Sequence, residues 1–416
     1  MVTREEEKVT GATIDHLISV TVFLAAILLF ISLFNQTLQT AILYQRHRAL
    51  ATKASGLLDT MLLSSGYPLD WGKTNATPTG FGLQDPEFTQ YKLSPFSLMR
   101  LRSFSGTPVY YEKTGLYYSN LSMGFGNFLL VPYNQVINYS TASTLLGTNN
   151  TDGFQLTITP IIAVSVTETH AAYPLTLSVS VTGKGFPLAN ADISYAFIRV
   201  VEKGGGQYPS YISSSGSAFT DETGEAVLNF ADVAATDSYA LIAYAHLSGL
   251  VGVGYRERVT SDKKYVIPFI DDFEERRVLL AHSYDIHYFG PPESAVFYNA
   301  TFLLLSEDFT LREMPLEGEQ VGKVGKAVYG EGQPYGEVTI PTYNPGILVI
   351  TYESNNEYGV VLMPWGLSAM AFPITFGGSP SGQEWVANDK RHVIVNNVAY
   401  QAELALWSLE GYQVIG

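Results

Sequence analysis

The sequence contains no cysteine. Disulfide staples, Cys-ligated zinc or iron–sulfur centres and thiol catalysis are thereby excluded. No compartment follows from this, because exported proteins also do without disulfides. Charge is scarce too: Asp, Glu, Lys and Arg make up 15% of the chain, and no long acidic run accompanies the net charge of −15. Nucleic-acid and anionic-membrane surfaces both call for clustered Lys and Arg, so no nucleic-acid partner is expected and the negative charge belongs to a solvated surface. Glycine and proline are missing from residues 12–54, and charged residues are missing from residues 17–45. Nothing in the first interval punctuates a helix.

The uncharged stretch decides where the protein lives. Residues 17–34 are apolar apart from Ser19, Thr21 and Ser32, and about 20 apolar residues cross a bilayer. Membrane lipid is the expected partner along 17–34. A secretory signal peptide has a shorter apolar core, about 7–15 residues, closed by a small-residue cleavage site; here the chain continues as Asn35-Gln36-Thr37-Leu38. Ala54, Leu57, Leu58, Met61 and Leu62 then recur at the spacing of one apolar helical stripe. Gly56 costs about 1 kcal/mol within it, and Ser64-Ser65-Gly66-Tyr67-Pro68 is the stop. One helix of about 75–80 Å is predicted, with only its first half in lipid.

Beyond Pro68 the helical period disappears. The composition, 46% hydrophobic with 27 Tyr and 22 Phe, suits strands and real cores, and the length leaves room for two or three domains. Strand candidates are Val109-Tyr110-Tyr111 and Phe128-Leu129-Leu130-Val131. Residues 175–181 alternate with period 2, residues 191–200, 239–245 and 251–255 read as further strands, and together they indicate an antiparallel sandwich. Asp221 and Gly224 read as a turn in which the Asp side chain caps its own backbone and Gly takes positive φ. Near the end, His392-Val-Ile-Val395, the Asn396-Asn397 turn and the run from Val398 to Trp407 form a hairpin. Val398, Tyr400, Ala402, Leu404 and Leu406 share one of its faces, opposite Gln401 and Glu403. The expected fold is mainly β with one long N-terminal α-helix, a β-sandwich and a second β-rich head.

An apolar helical half followed by an amphipathic half resembles archaeal type IV pilin-like proteins with a class III signal peptide. The resemblance is carried by Lys8-Val-Thr-Gly11, with Lys8 three residues ahead of Gly11, then Ala12-Thr-Ile-Asp15-His16 and the apolar run. Leu62-Leu63-Ser64-Ser65-Gly66-Tyr67-Pro68-Leu69-Asp70-Trp71 and the 139–147 segment leading into Phe154-Gln155-Leu156-Thr157-Ile158 add to it. It implies a prepilin-peptidase cut between Gly11 and Ala12, and packing against other pilin-like subunits through the N-terminal helix. The 139–147 segment reads as a short helix with a Ser or Thr N-cap and Gly147 after its end.

Gly185-Phe-Pro187-Leu188-Ala-Asn-Ala191 and Thr220-Asp221-Glu-Thr-Gly224-Glu225-Ala226 resemble bacterial-type immunoglobulin-like and carboxypeptidase-regulatory-like modules. That resemblance implies a spacer or adhesive module. The expected organisation is a charged leader at 1–11, the helix at 12–65, the first part of a β-rich head at 66–160, the immunoglobulin-like sandwich at 161–260 and a C-terminal β-rich domain at 261–416. The module is expected as an insertion between two parts of one head, with a tandem of two sandwiches as the alternative.

Sites are few. N-x-S/T occurs at Asn35, Asn75, Asn120, Asn138, Asn149 and Asn299, where chance would give roughly three. Asn35 stands at the membrane end of the helix, so the expected glycosylation sites are the other five, on an exported body. Arg4 and Lys8 precede the apolar run while Arg46, Arg48 and Lys53 follow it, a basic balance that mildly opposes that orientation. Asp271, Asp272, Glu274 and Glu275 suggest either Ca²⁺ or a salt-bridged turn with Arg276 and Arg277, and the turn is preferred. Gly252-Val-Gly254 and Gly204-Gly-Gly206 read as turn glycines rather than dinucleotide loops. Trp365 and Trp385 read as packed rather than sugar-binding, and no catalytic motif or cofactor is found. A non-enzymatic, membrane-anchored surface protein is expected; a permanently anchored envelope protein, or a surface hydrolase without a sequence motif, are the alternatives.

Overall fold

The computed structural model describes residues 3–87, 90–101, 108–122, 128–148, 151–201, 208–259, 265–287, 295–306, 310–325, 335–366, 373–383 and 385–409. Helix α1 (Thr3–Leu63) runs unbroken and is followed by α2 (Pro95–Arg100), β1 (Val109–Tyr111), β2 (Leu116–Ser122), β3 (Phe128–Pro132), α3 (Tyr139–Leu145) and β4 (Asp152–Pro160). Eight strands follow: β5 (Ile162–Ala171), β6 (Leu175–Gly183), β7 (Phe186–Pro187), β8 (Asp192–Val201), β9 (Ser210–Phe219), β10 (Glu225–Phe230), β11 (Tyr239–Leu247) and β12 (Leu250–Arg258). Then come β13 (Val266–Asp272), β14 (Arg277–His282), α4 (Tyr284–His287), β15 (Val296–Leu305), β16 (Leu311–Met314), β17 (Glu317–Gly318), β18 (Val321–Val324) and β19 (Tyr335–Thr339). The chain closes with β20 (Gly346–Ser354), β21 (Glu357–Trp365), β22 (Ile374–Gly377), β23 (Ala387–Val395) and β24 (Val398–Ser408).

The protein is mostly β, with one long N-terminal helix. Strands β5 to β12 make a sandwich of their own, β10-β6-β5 with β7 on β6 facing β12-β11-β8-β9. Every other sheet mixes or follows strands outside that interval. β22-β4-β24-β23 joins residues 152–160 to 374–408, and β1-β2-β3-β13-β14-β19-β17 joins residues 109–132 to 266–339. Segments 66–160 and 261–416 therefore share two sheets, and the sandwich leaves and re-enters a single body. The fifth sheet, β16-β15-β20-β21 with β18 on β15, lies wholly in the later segment.

Local chemistry explains the joints. Asn396 and Asn397 take φ of 45° and 70° at the β23–β24 turn, as Asn-Asn in a two-residue hairpin requires. Asn355 and Asn356 do the same between β20 and β21, at φ 54° and 64°. Asp221 Oδ1 accepts from the Thr223 N–H at 2.8 Å and the Glu225 N–H at 3.0 Å while Gly224 sits at φ +76°. Those hydrogen bonds, from the Thr223 hydroxyl foremost, hold the Asp221 carboxyl below its usual range. The α3 N-cap is Asn138, not Ser or Thr: its Oδ1 accepts from the Thr141 N–H at 2.8 Å, and Gly147 follows at φ +68°.

Strand β11 is buried along residues 239–245 without alternation. The cause is burial on two sides. Tyr239, Leu241, Ala243 and Ala245 face the sandwich core, whereas Ala240, Ile242 and Tyr244 belong to the body's core. The module is thus packed onto the body through its second sheet, and Ser238 Oγ donates to the Tyr358 carbonyl at 2.8 Å across the junction. Gly252 and Gly254 lie inside β12, not in a turn. A Cβ on Gly254 would stand 2.4 Å from the Val164 carbonyl oxygen, and one on Gly252 2.6 Å from that of Ile162, so small residues let β12 approach β5. Gly204-Gly-Gly206 lies outside the described residues.

Two glycine substitutions should therefore move stability in opposite directions. Gly56→Ala, mid-helix with nothing within 4 Å of an added Cβ, is expected to raise stability by about 0.5–1 kcal/mol. Gly254→Ala is expected to lower it by about 1–3 kcal/mol by parting β12 from β5. Urea unfolding of the detergent-solubilised chain measures both.

Candidate membrane-spanning and assembly helix

Helix α1 meets two different environments. From Ile14 to Tyr44 its side chains are exposed apart from a half-buried Leu43, and they include Leu17, Phe23, Leu28, Phe30 and Phe34. The helix is long and apolar enough to cross a membrane, and none of that apolar window is buried, unlike the core helix of a globular domain. Residues 17–34 extend about 27 Å at 1.5 Å per residue, close to the hydrocarbon thickness. Two of the three polar side chains inside that length are satisfied locally: Ser19 Oγ donates to the Asp15 carbonyl and Thr21 Oγ1 to the Leu17 carbonyl, each at 2.8 Å. Thr37 and Thr40 repeat the pattern just beyond it, as a medium without water demands. The backbone at Gly11 and Ala12 is part of the same helix.

The second half is docked. Leu50 is the first buried residue, and Ala54, Leu58, Met61 and Leu62 follow on one face with Leu57 at its border. Each of the large ones contributes about 1.5–3 kcal/mol of burial. The face rests on β23 and β24. Between residue 34 and residue 50 lie about 24 Å of helix, with exposed side chains apart from half-buried Leu43 and with Leu38, Ile42 and Tyr44 among the exposed ones.

Polar groups hold the docked half in register. Arg391 on β23 donates from Nε to Asp59 Oδ1 at 3.0 Å and from Nη2 to Ser55 Oγ at 2.9 Å, and from Nη1 to Asp389 Oδ1 at 2.8 Å. Tyr91 adds a hydroxyl to Asp59 at 3.3 Å. The hydrogen bond to Asp59, then that to Asp389, pushes the Arg391 guanidinium above its ordinary value. Partial burial draws the Asp389 carboxyl up, but hydrogen bonds with Ser55 and Arg391 outweigh it and hold the group low. Lys53 is paired with Asp152 at the start of β4, and the His47 ring lies 6.0 Å from Trp385. Lys53 is therefore tied to the body.

The other predicted residues scatter. Asn75 is tied at both ends of its amide: Nδ2 donates to Asp272 Oδ1 at 2.8 Å, and Oδ1 accepts from Gln135 Nε2 at 3.0 Å and the Phe273 N–H at 3.1 Å. Asn299 sits within β15 and donates to the Pro209 carbonyl at 3.1 Å. Asn138 is exposed, with its cap made by the oxygen, which leaves the amide nitrogen for a glycan. Asn120 falls in β2, its side chain outside the described residues, as is the whole of Asn149. Asp271 pairs with Arg277 at 2.8 Å, and Asp272 accepts from the Glu274 and Glu275 N–H groups at 2.9 Å. Among the described residues no group of three His, Asp or Glu could hold a metal. Trp365 is buried against Phe96, and its Nε1 donates to the Thr342 carbonyl at 2.9 Å.

Two features carried no signal in the sequence. Arg100 is buried, stacks 5.2 Å from the Trp71 ring, and donates to the carbonyls of Trp71, Thr74, Ala76 and Gln135; burial lowers its guanidinium to about 10. A cleft of about 680 Å³ lies in the body, lined by Lys73, Asp85, Glu87, Lys92 and Tyr343 among others.

No protein-family model and no curated protein matches the sequence. Among solved structures, trypsin-activated alpha-2-macroglobulin from Escherichia coli is 10% identical over 67% of this chain and 20% of its own, at a TM-score of 0.21. Red sea bream transglutaminase is 10% identical over 60% of this chain and 37% of its own, at 0.16. The chain thus spans well under half the length of either. Likenesses this faint carry no argument for activity, and the helix has to be judged on its own geometry.

Arg391→Met should loosen the helix from the head at a cost of about 1 kcal/mol, small because Asp59 is 38% exposed. It should speed amide exchange in residues 50–63. Acid should do the same in the parent chain. The Asp389 carboxyl is lower folded than unfolded, so its contribution is complete above the unfolded value of about 3.9 and disappears as pH falls through the folded one. Protection of the 50–63 amides, corrected for the pH dependence of intrinsic exchange, that stays constant down to pH 2 would overturn that role.

Proposed function

We propose that this protein is a non-enzymatic, membrane-anchored surface subunit of the archaeal pilin-like or pseudopilin-like kind, single-pass, with its body outside the cell. The observation that carries this reading is one continuous helix with an exposed apolar half and a half docked on the head through Leu50, Ala54, Leu58, Met61 and Leu62. Such a helix holds a subunit in lipid before assembly. After extraction it packs against neighbouring helices, and the exposed Leu38, Ile42 and Tyr44 continue its apolar surface beyond the lipid. The exposed sequon at Asn138 suits an outside location. A body of three sheets with an inserted two-sheet sandwich is large for a bulk filament subunit, so a minor, tip or adhesive position fits better.

The second reading, a permanently anchored envelope protein, shares the same helix without the cut. Mass spectrometry of the native N-terminus separates them. A chain beginning at Ala12 is expected for the pilin-like route, and electron microscopy should then find the protein in or on filaments. An intact Met1 would sink processing and leave the permanent anchor.

A further inference from the structure

We propose that the outer edge of β9 is a self-association surface, on which a second copy of this chain adds its own β9 antiparallel. Among the described residues β9 closes one end of its sheet, with β8 as its only ladder partner. The direction of its free backbone groups follows from the ladders. The Val200 N–H donates to the Ser238 carbonyl, on the β11 side of β8, and in an antiparallel ladder both groups of a residue point to the same neighbour. Val200 stands opposite Tyr211 in the β8–β9 register, so Tyr211 and every second residue after it, Ser213, Ser215, Ser217 and Phe219, turn their N–H and C=O away from β8. At the far end the Thr220 N–H reaches back to the Ala191 carbonyl, which gives the same parity. Ser213, Ser215 and Ser217 are exposed.

Edge strands are ordinarily protected by a charge, an internal proline or a bulge. This one has none of them: its pairing with β8 runs without a register shift, residues 204–220 hold no charged residue, and the nearest proline, Pro209, precedes the strand. A second copy is favoured as occupant by symmetry and by charge. A two-fold axis normal to the sheet makes residues with equal sums face one another, and the outward set is symmetric about Ser215. Ser215 then meets its own copy, Ser213 meets Ser217, and every outward N–H finds a C=O. The contact is isologous and closes at two. The uncharged strip also lets two chains of net charge −15 meet without like-charge repulsion at the seam.

The absence of cysteine makes the test specific. In the hydrogen-bonded register the two Ser215 Cα atoms stand about 5.5 Å apart, within disulfide reach. Ser215→Cys in the detergent-solubilised full chain should oxidise to a covalent dimer, and Ser381→Cys, on an exposed turn, should not. Ser215→Lys sets two like charges face to face and should weaken dimerisation, measured by sedimentation, by roughly tenfold or more. Circular dichroism should leave its fold unchanged, because the Ser215 N–H makes no bond to β8. A dimer that survives Ser215→Lys and lacks the cross-link runs through the helix and overturns the proposal. A monomer whose β9 amides shift only when a peptide of residues 211–219 is added also overturns it, in favour of an extended segment from another protein.

Discussion

The ladder between β4 and β24 is the constraint on which the rest of the molecule hangs. It pairs Asp152 with Ser408 and Pro160 with Tyr400, joining the strand before the sandwich to the strand that ends the described chain. Closing so long a loop costs entropy that grows only slowly with length, and it is offset by a strand buried along Val398 to Trp407 apart from Gln401 and Glu403. The same sheet is the floor for the docked half of the helix. Pairing β4 with β24 therefore fixes three things at once: the body, the seat of the helix and the point from which the sandwich departs.

The helix depends on that sheet for its direction. Lys53 reaches Asp152, the first residue of β4, and Arg391 on β23 grips Asp59 and Ser55. Two ion pairs, one to β4 and one to β23 on either side of β24, fix the rotation of the helix about its axis as well as its height. Burial of the leucine stripe supplies the larger energy, and the ion pairs supply the register. The body is stiffened independently by Arg100, whose fork replaces a missing strand ladder for residues 71–76 by binding three of their carbonyls.

Much of this was legible because the responsible forces are local. The stripe from Ala54 to Leu62 is a helical period, and its members are the ones buried or bordering the core. Asn396-Asn397 and Asp221 with Gly224 adopt the turns their side chains and backbones favour. Elsewhere the local pattern did not record the partner that the fold supplies. Asn138 took the cap expected of Ser or Thr, since it stands immediately before the helix and its Oδ1 reaches the Thr141 N–H. Asn75 and Asn299 match the glycosylation pattern, yet their amides serve as bridges to residues far along the chain. Gly252 and Gly254 look like turn glycines in sequence, and only the close approach of β5 explains them.

The sequence by itself determined that one helix has an exposed apolar half and a stripe-bearing half, and that the rest is strand and turn, because those patterns depend on periods of a few residues. Tertiary structure alone decided which strands share a sheet, that the sandwich is packed against the body by Ala240, Ile242 and Tyr244, and that β9 has an open edge among the described residues. Pairing partners are chosen by burial and ladder closure between distant segments, and no local pattern records which segment lies opposite.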